Sequence, residues 1–345
     1  MLTALVARQW PEAVLAPPGP FPGGAGVTEP GTGRGWLLCQ DGSPAGLGAA
    51  LVWAQRGELR RLHLVVDGQG VNGVPVEVMA RRAAAFRDQP VLWTVEGRTL
   101  RRVDPAPASD VGLAAGAPRP GRPMAAGAAA WAEVMIAHGV EPVVEHGVLR
   151  GEVLGLEVAR LTGDEEAGWS LAVGVGDHDR QARQQMRPDE DPATALDQVV
   201  ELVRARRAPG ARRHPANALA PERWLRAVVV SRPSLVGAGH LVSIAPPLAG
   251  GDLRERAPAP AAGTDLQGRP VVVVCSTGID VDLVPSAADS RLLYGRGARL
   301  VLAVPAGDDH PVTRGLAAAL CQPAEVVTVP RDWVALTPSG RPGEG

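Results

Sequence analysis

One short apolar run, Pro270–Cys275, constrains the fold of this chain more than any other stretch. The run is rich in Val and bounded by turn residues, which is typical of a strand buried on both faces of a sheet. A polar turn follows it at residues 276–282. After the turn, Leu283–Tyr294 has helical spacing and residues 298–304 form a second buried run. This order predicts a βαβ unit, and such units bind ligands at the carboxyl ends of their strands.

The same order of elements occurs near the amino terminus. There the spacing of apolar residues predicts strands at 36–39, 62–66 and 91–95, with helices at 46–56 and 75–86 between them. The carboxyl-terminal counterpart continues with a helix at 312–320 and a strand at 325–329. We therefore predict an α/β protein with two similar βαβαβ, or Rossmann-like, halves that flank a central α+β segment.

The segment between the halves is built differently. Its predicted elements are a helix at 124–138, a strand at 140–145, a bent strand or hairpin at 148–162, a strand at 169–175, helices at 192–207 and Pro221–Ser231, and a strand at 240–244. Stretches rich in Pro, Ala and Gly on either side of it favour linkers. The predicted parts are an irregular segment (1–35), an α/β half (36–104), a linker (105–123), the central domain (124–245), a linker (246–269), the second α/β half (270–333) and a tail (334–345).

Composition restricts the class of protein. Hydrophobic residues make up 45% of the chain, which is typical of a globular protein, and the net charge is −2. The chain contains no Lys, so all 35 basic residues are Arg, a bias that a high-GC genome would produce. The net charge gives no whole-molecule case for binding nucleic acid or an anionic membrane.

Cysteine usage and hydropathy indicate a cytoplasmic protein. Cys39, Cys275 and Cys321 are too few and too scattered for a disulfide framework. The first ten residues lack the apolar core of a secretory signal, and charges or Gly and Pro interrupt every long apolar run. We therefore expect no membrane association. The sequence does not indicate an oligomeric state.

Polar turns follow three predicted strands of the carboxyl-terminal half, at residues 276–280, 307–310 and 331–332. Hydroxyl groups and backbone amides at such strand ends are suited to an anionic, nucleotide-like ligand, although Asp280, Asp282 and Asp289 would repel a phosphate unless a metal ion lay between them. The residues predicted to bind the ligand are Ser276, Thr277, Gly278, Asp280, Asp282, Asp309 and His310.

A purely architectural role for these residues is the alternative, in which Asp282 and Asp309 are helix N-caps and Gly278 only turns the chain. The sequence contains no glycine-rich dinucleotide fingerprint, no Walker loop and no nucleophile elbow. Cys275, the last residue of its Val-rich run, is expected to be a core residue. The carboxyl-terminal half therefore predicts ligand binding without a recognisable catalytic signature.

Carboxylates are the notable feature of the central segment. The predicted order of helix, three strands and helix over residues 124–207 resembles the PD-(D/E)XK nuclease-like core, with residues 151–157 as its second strand and 171–177 as its third. The resemblance implies a phosphodiesterase that uses Mg²⁺ or Mn²⁺, with Glu157 and Asp177 as catalytic and metal-binding residues. The family's third strand carries an acidic residue followed two positions later by Lys, whereas this strand has Val-Gly-Val at 173–175. A degenerate relative that does not cut is therefore an alternative.

Two further alternatives remain in the central segment. Glu145, Glu152 and Glu157 can be solvent-facing strand residues without a common site. The basic residues at 204–207 and 212–214 can contact nucleic-acid phosphates, or they can be the solvated end of a helix. The sequence thus leaves two hypotheses, a small-molecule-binding α/β protein and a metal-dependent nuclease.

Overall fold

The computed structural model of the chain describes residues 1–39, 45–67, 70–71, 74–106, 126–212, 214–248 and 256–338. Residues 40–44, which follow the predicted strand at 36–39, and most of the predicted linker at 105–123 lie outside the described residues. The amino-terminal elements are α1 (Leu2–Gln9), β1 (Gly19–Phe21), β2 (Gly24–Glu29), β3 (Arg34–Cys39), α2 (Ala45–Arg56), β4 (Arg61–Val66), β5 (Gly70–Val71), β6 (Val74–Pro75), α3 (Val76–Ala83), β7 (Val91–Glu96) and β8 (Thr99–Arg102).

Most of these strands form one six-stranded sheet in the order β1-β2-β3-β4-β7-β8. The strands β3, β4 and β7 are parallel, as predicted, whereas β1, β2 and β8 are antiparallel to their neighbours. The prediction that residues 1–35 are irregular is wrong for α1, β1 and β2. For β2, Gly24 explains the error, because it pairs with Cys39 and a Cβ atom there would collide with the carbonyl oxygen of Leu38. A glycine that suggests a loop here allows two strands to lie close together.

The central elements form a four-stranded sheet with flanking helices. They are α4 (Ala126–Ala137), β9 (Glu141–Glu145), β10 (Val148–Val153), β11 (Leu156–Asp164), β12 (Gly168–Val173), α5 (Gly176–Met186), α6 (Pro192–Arg207) and α7 (Pro221–Ser231). The strands are antiparallel in the order β12-β11-β10-β9. Residues 148–162 therefore form the hairpin that the sequence left open, with Gly155 at a φ of +77° in its turn. Asp191 is the N-cap of α6, since its carboxylate accepts a hydrogen bond from the Thr194 amide at 3.1 Å.

The carboxyl-terminal elements form a five-stranded sheet, in the order β13-β14-β15-β16-β17. They are β13 (Ala238–Ser243), β14 (Ala259–Asp265), β15 (Pro270–Cys275), α8 (Leu283–Tyr294), β16 (Arg299–Pro305), α9 (Pro311–Ala319) and β17 (Glu325–Val329). The predicted parallel pair of β15 and β16 is confirmed. The linker predicted at 246–269 contains the strand β14, which pairs antiparallel with β13 and β15. Ala, Pro and Gly in β14 give the sequence no apolar alternation by which to recognise a strand.

The α/β class predicted from the sequence is confirmed. In both large sheets, an antiparallel hairpin, β1-β2 or β13-β14, precedes the first parallel strand and pairs with it through its second member. This shared order is consistent with two related halves, but the duplication itself stays a prediction. Within the described part of the chain, no helix is long and apolar enough to cross a lipid bilayer.

The described residues fall into two compact units, each discontinuous in sequence. Unit 1 takes its residues from Met1–Val111, Ile279–Leu293 and Asp309–Val326, and unit 2 from Gly112–Gly278, Tyr294–Asp308 and Val327–Gly345. The core of unit 1 includes Val6, Trp36 and Val65. Unit 2 has one core that includes Val158 and Leu196 and a second that includes Leu225 and Val273.

Candidate functional site

The residues predicted to bind a ligand belong to different units. Ser276, Thr277 and Gly278 belong to unit 2, whereas residues 280, 282, 309 and 310 belong to unit 1. That all seven residues serve one ligand stays a prediction.

In unit 2, the ends of β15 and β16 lie side by side. Cys275 pairs with Ala303, and the Ser276 amide donates a hydrogen bond to the carbonyl oxygen of Ala303 at 3.1 Å. Just beyond the strands, the Gly278 amide donates to Oδ2 of Asp308 at 2.7 Å. The two polar turns are therefore tied together, and we call this region the strand-end edge (residues 276–278 and 307–308).

Two hydroxyl groups lie at the strand-end edge. Thr277 donates from Oγ1 to Oε1 of Glu222 at 2.7 Å, and Glu222, in the first turn of α7, is only 2% exposed. Ser276 is 1% exposed, and its Oγ has no hydrogen-bond partner among the described residues. A buried hydroxyl without a partner costs free energy, which a ligand that offers an acceptor would recover.

Two exposed arginines reach the same edge. A Cβ atom built on Gly278, whose φ is +71°, would lie 2.6 Å from Nη1 of Arg256. A Cβ atom built on Gly307 would lie 3.2 Å from Nε of Arg331. Both guanidinium groups therefore lie against the glycines that follow β15 and β16. Neither arginine forms an ion pair with any residue that the structure describes.

Sequence reasoning did not select these arginines or Glu222. Arg256 lies in the stretch predicted as a linker, and Arg331 was recognised only as part of a polar turn. Glu222 belongs to a helix more than fifty residues earlier in the chain. The polar turn at residues 331–332 was the available signal for Arg331, because it follows the third predicted strand.

Cys275, the residue before this edge, is fully buried, which confirms its expected place in the core. Burial raises the pKa of its thiol to about 12. A thiol with this pKa stays protonated at neutral pH, so Cys275 is unsuited to act as a nucleophile.

In unit 1, arginine side chains form ion pairs with the carboxylates of Asp282 and Asp289. Asp282 accepts a hydrogen bond from Nη1 of Arg82 at 3.1 Å, and burial raises the pKa of the Asp282 carboxyl to about 6. Its neighbour Asp289 binds Arg81 through two hydrogen bonds of 2.7 and 2.8 Å. Arginine charges therefore offset the negative charges of Asp282 and Asp289, two of the three acids that the sequence predicted would repel a phosphate. Asp280 accepts from the Asp282 amide at 2.8 Å.

The residues that precede α9 have architectural contacts. Asp309 accepts two hydrogen bonds of 2.8 Å from Arg314. His310 is the N-cap of α9, since its Nδ1 accepts from the Val312 amide at 3.2 Å. The prediction that Asp309 caps this helix is wrong. Its carboxylate is held by an arginine of α9 and not by the first amides of the helix.

The central carboxylates are buried, so the expectation that Glu145, Glu152 and Glu157 face solvent is wrong. Glu152 binds Arg223 at 2.7 Å and Arg226 at 2.5 Å, and Arg223 also binds Glu145 at 2.9 Å. These four residues are called the buried charge network. The two arginines hold the pKa of Glu152 below its ordinary value, against the opposing effect of burial.

Glu157 and Asp177, the residues predicted to bind a metal, share two arginines. Arg160 lies 2.9 Å from Glu157 and 3.1 Å from Asp177, and Arg180 lies 3.0 Å from Glu157 and 2.6 Å from Asp177. The structure thus brings both predicted residues to the same two guanidinium groups. Among the described residues, no group of three or more His, Cys, Asp and Glu side chains is arranged to hold a metal ion.

Arg207, the last of the basic residues at 204–207, has a structural role. Arg207 is 1% exposed and donates to the carbonyl oxygen of Leu154 at 2.6 Å, while its guanidinium lies 4.6 Å from the ring centroid of Trp224. Burial lowers the pKa of Arg207 to about 10. Arg207 is therefore not available for nucleic-acid phosphates. Arg213 lies outside the described residues.

Comparisons of the chain with protein-family models, with curated proteins and with solved structures found no significant match.

Proposed function

We propose that this protein binds a small phosphate-bearing ligand, such as a nucleotide, at the strand-end edge of unit 2. The observation that carries the proposal is the position of Arg256 and Arg331 against the glycines at two neighbouring strand ends. Guanidinium groups bind phosphate through paired hydrogen bonds and keep their charge at every physiological pH. The carboxyl edge of parallel strands is also where α/β proteins commonly bind ligands.

The polar groups between the arginines support the same assignment. The unpartnered Ser276 hydroxyl can donate to a phosphate oxygen, and the Thr277 hydroxyl is held in place by Glu222. The carboxylates of Glu222 and Asp308 already accept hydrogen bonds from Thr277 and Gly278. They are therefore suited to orient the edge or to accept from ribose hydroxyl groups, while the arginines bind the phosphate.

The proposal is one of binding and not of catalysis. Cys275 is buried with a raised pKa, and the carboxylates of Glu222 and Asp308 are already engaged by Thr277 and Gly278. The metal-dependent nuclease predicted as the alternative stays untested. The guanidinium groups between Glu157 and Asp177 disfavour a divalent cation at that place, so no observation favours this alternative.

Thermal-shift and calorimetric titrations with ATP, AMP and inorganic phosphate, each with and without Mg²⁺, test the proposal. We expect saturable stabilisation by at least one nucleotide, and a loss of affinity of about tenfold or more in Arg256→Ala and Arg331→Ala. Arg296→Ala is the matched control, because Arg296 is equally exposed but precedes β16 and so lies at the opposite end of the strands. The proposal is wrong if no nucleotide binds, or if all three variants retain the affinity of the parent chain.

A further inference from the structure

The four-stranded sheet of unit 2 carries a group of arginines that exceeds its local carboxylates. Glu157, only 1% exposed, accepts hydrogen bonds from Nη1 of Arg150 at 2.6 Å and from Nε of Arg160 at 2.9 Å. Nη1 of Arg180 lies 3.0 Å from the same carboxylate. We call Arg150, Arg160 and Arg180 the arginine triad. One carboxylate cannot neutralise three guanidinium groups.

The second carboxylate of this region, Asp177, is held weakly. Its side chain is 70% exposed, and a single oxygen, Oδ1, faces both Arg160 at 3.1 Å and Arg180 at 2.6 Å. Solvent competes for this exposed carboxylate, whereas Arg180 is only 6% exposed and is also held by Glu157 at 3.0 Å. The Asp177 carboxylate can therefore exchange with another anion without loss of the fold.

The local charge balance favours an anion over a cation. The triad carries three positive charges, and Glu157 and Asp177 carry two negative ones. Glu145 lies 3.5 Å from Arg150 but is engaged by Arg223 at 2.9 Å. The region thus keeps one positive charge in excess even with Asp177 in place. A phosphate dianion that replaced the Asp177 carboxylate would bring one more negative charge than that carboxylate.

The geometry also suits a tetrahedral anion better than a planar carboxylate. Arg160 and Arg180 approach Asp177 from two different elements, β11 and α5, and converge on one oxygen atom. The side chains of Arg150 and Arg160 remain 20% and 29% exposed, so solvent reaches these two members of the triad, whereas Arg180 is only 6% exposed. A phosphate offers several oxygens in different directions, which lets separate guanidinium groups each bind one.

We propose that the arginine triad is a second anion-binding site, specific for a terminal phosphate group, and that the Asp177 carboxylate occupies the position of a phosphate oxygen in the ligand-free chain. The inference is independent of the proposed function, because it concerns a different sheet and different arginines. It replaces the metal site predicted for Glu157 and Asp177 by an anion site. Free inorganic phosphate and the 5′-phosphate of a nucleotide present the same chemistry to the triad.

The test is isothermal titration calorimetry of the full chain with inorganic phosphate, AMP and adenosine, in an Arg256→Ala/Arg331→Ala background that removes the strand-end arginines. Asp177→Asn keeps the size of the side chain and removes its charge, so we expect phosphate affinity to rise roughly two- to fivefold. Arg160→Gln removes one guanidinium and should weaken binding about tenfold or more. Adenosine should not bind at the triad, and comparison of AMP with phosphate shows which source is preferred.

Matched controls exclude general charge effects. Asp189→Asn removes an exposed carboxylate from the loop between α5 and α6, and Arg212→Gln removes an exposed guanidinium beyond α6. Neither should change phosphate affinity. The inference is overturned if the background chain binds neither phosphate nor AMP, if Asp177→Asn leaves the affinity unchanged or lowers it, or if Arg160→Gln binds as tightly as its background. Circular dichroism confirms that each variant is folded.

Discussion

Two regions of unit 2 use arginine in opposite ways. In the buried charge network, Arg223 and Arg226 are buried against Glu145 and Glu152, and each charge has a partner of opposite sign. At the strand-end edge, the exposed guanidinium groups of Arg256 and Arg331 lie against glycines, where they have no partner among the described residues. The arginines of the buried charge network are thus committed to ion pairs within the fold, whereas those at the strand-end edge are available to a ligand.

Removing a carboxylate from the buried charge network is expected to have the largest effect. Glu152→Ala leaves Arg226, which is 1% exposed, without its carboxylate and takes one partner from Arg223. An uncompensated buried charge costs about 3–5 kcal/mol, so the free energy of unfolding should fall by that amount. Urea denaturation followed by circular dichroism measures it.

Glu165→Ala is the control for this variant, because Glu165 is an exposed carboxylate in the turn between β11 and β12. Its free energy of unfolding should stay within about 0.5 kcal/mol of the parent chain. If Glu152→Ala behaved like the control, the network would not stabilise the fold, and the contrast between the two regions would lose its basis.

His63 of unit 1 provides a second test, because it is a buried ionisable side chain whose hydrogen-bond partner is a tryptophan and not a carboxylate. His63 accepts a hydrogen bond from Nε1 of Trp93 at 3.1 Å and stacks on Trp36. Burial, with a smaller effect of Arg34 and Arg61, lowers its pKa from 6.5 to about 4. The unfolded chain then takes up a proton as the pH falls below 6.5, while the folded chain stays neutral until about 4.

The stability that neutral His63 maintains is therefore present above pH 6.5 and is lost as the pH falls from 6.5 to about 4, by roughly 3 kcal/mol in total. His63→Phe should flatten this part of the curve of unfolding free energy against pH. Glu152, whose pKa is lowered, acts in a more acidic window, because its contribution is present above its ordinary pKa of 4.5 and is lost below it. An unchanged slope between pH 6.5 and 4.5 in His63→Phe would show that His63 is not the responsible group.

Apolar periodicity in the sequence was sufficient to predict the parallel strands and the helix at Pro221–Ser231, because buried Val and Leu runs have few alternative structures. It was insufficient for β2 and β14. Gly24 permits close strand pairing, but a glycine in the sequence is typical of a loop. The Ala and Gly residues of β14 do not form the pattern of large apolar residues by which a buried strand is recognised. Strands of this kind are defined by their neighbours, which the local sequence does not contain.

The candidate site was less predictable than the fold. The turns that follow the strands were visible, so Ser276, Thr277 and Gly278 could be selected. Which arginines reach these turns depends on chain segments far away in sequence, such as the one that carries Arg256. Asp309 pairs with Arg314, only five residues later, so this contact could have been predicted from the local sequence. It was missed because the polar residue before a helix was assumed to be its cap.

A smaller effect on the free energy of unfolding is expected from Gly155→Ala, in the turn between β10 and β11 that α7 approaches closely. A Cβ atom at Gly155 would collide with the backbone of Arg223, so Gly155→Ala must displace the helix that supplies the network's arginines. Gly210 is the matched control, since it has the same φ of +77° but nothing within 4 Å of a Cβ atom. Gly210→Ala should cost only the backbone strain of about 1–2 kcal/mol.

Gly155→Ala should cost more than its control, measured as the difference between the two free energies of unfolding. The excess reports how far the charge network depends on the close approach of α7 to the hairpin β10–β11. Equal costs would mean that the network adjusts to the displacement, and the pairing of Glu152 with Arg223 would then be less specific than the structure indicates.

The smallest effect on stability is expected at the strand-end edge. Arg331→Ala should change the free energy of unfolding by less than about 0.5 kcal/mol, because the side chain is exposed and has no ion-pair partner among the described residues. A loss of more than about 1 kcal/mol would place Arg331 with the structural arginines, since its guanidinium would then support the turn at Gly307. An arginine that stability does not require keeps its charge available to a ligand, which is the role proposed for Arg331 at this edge.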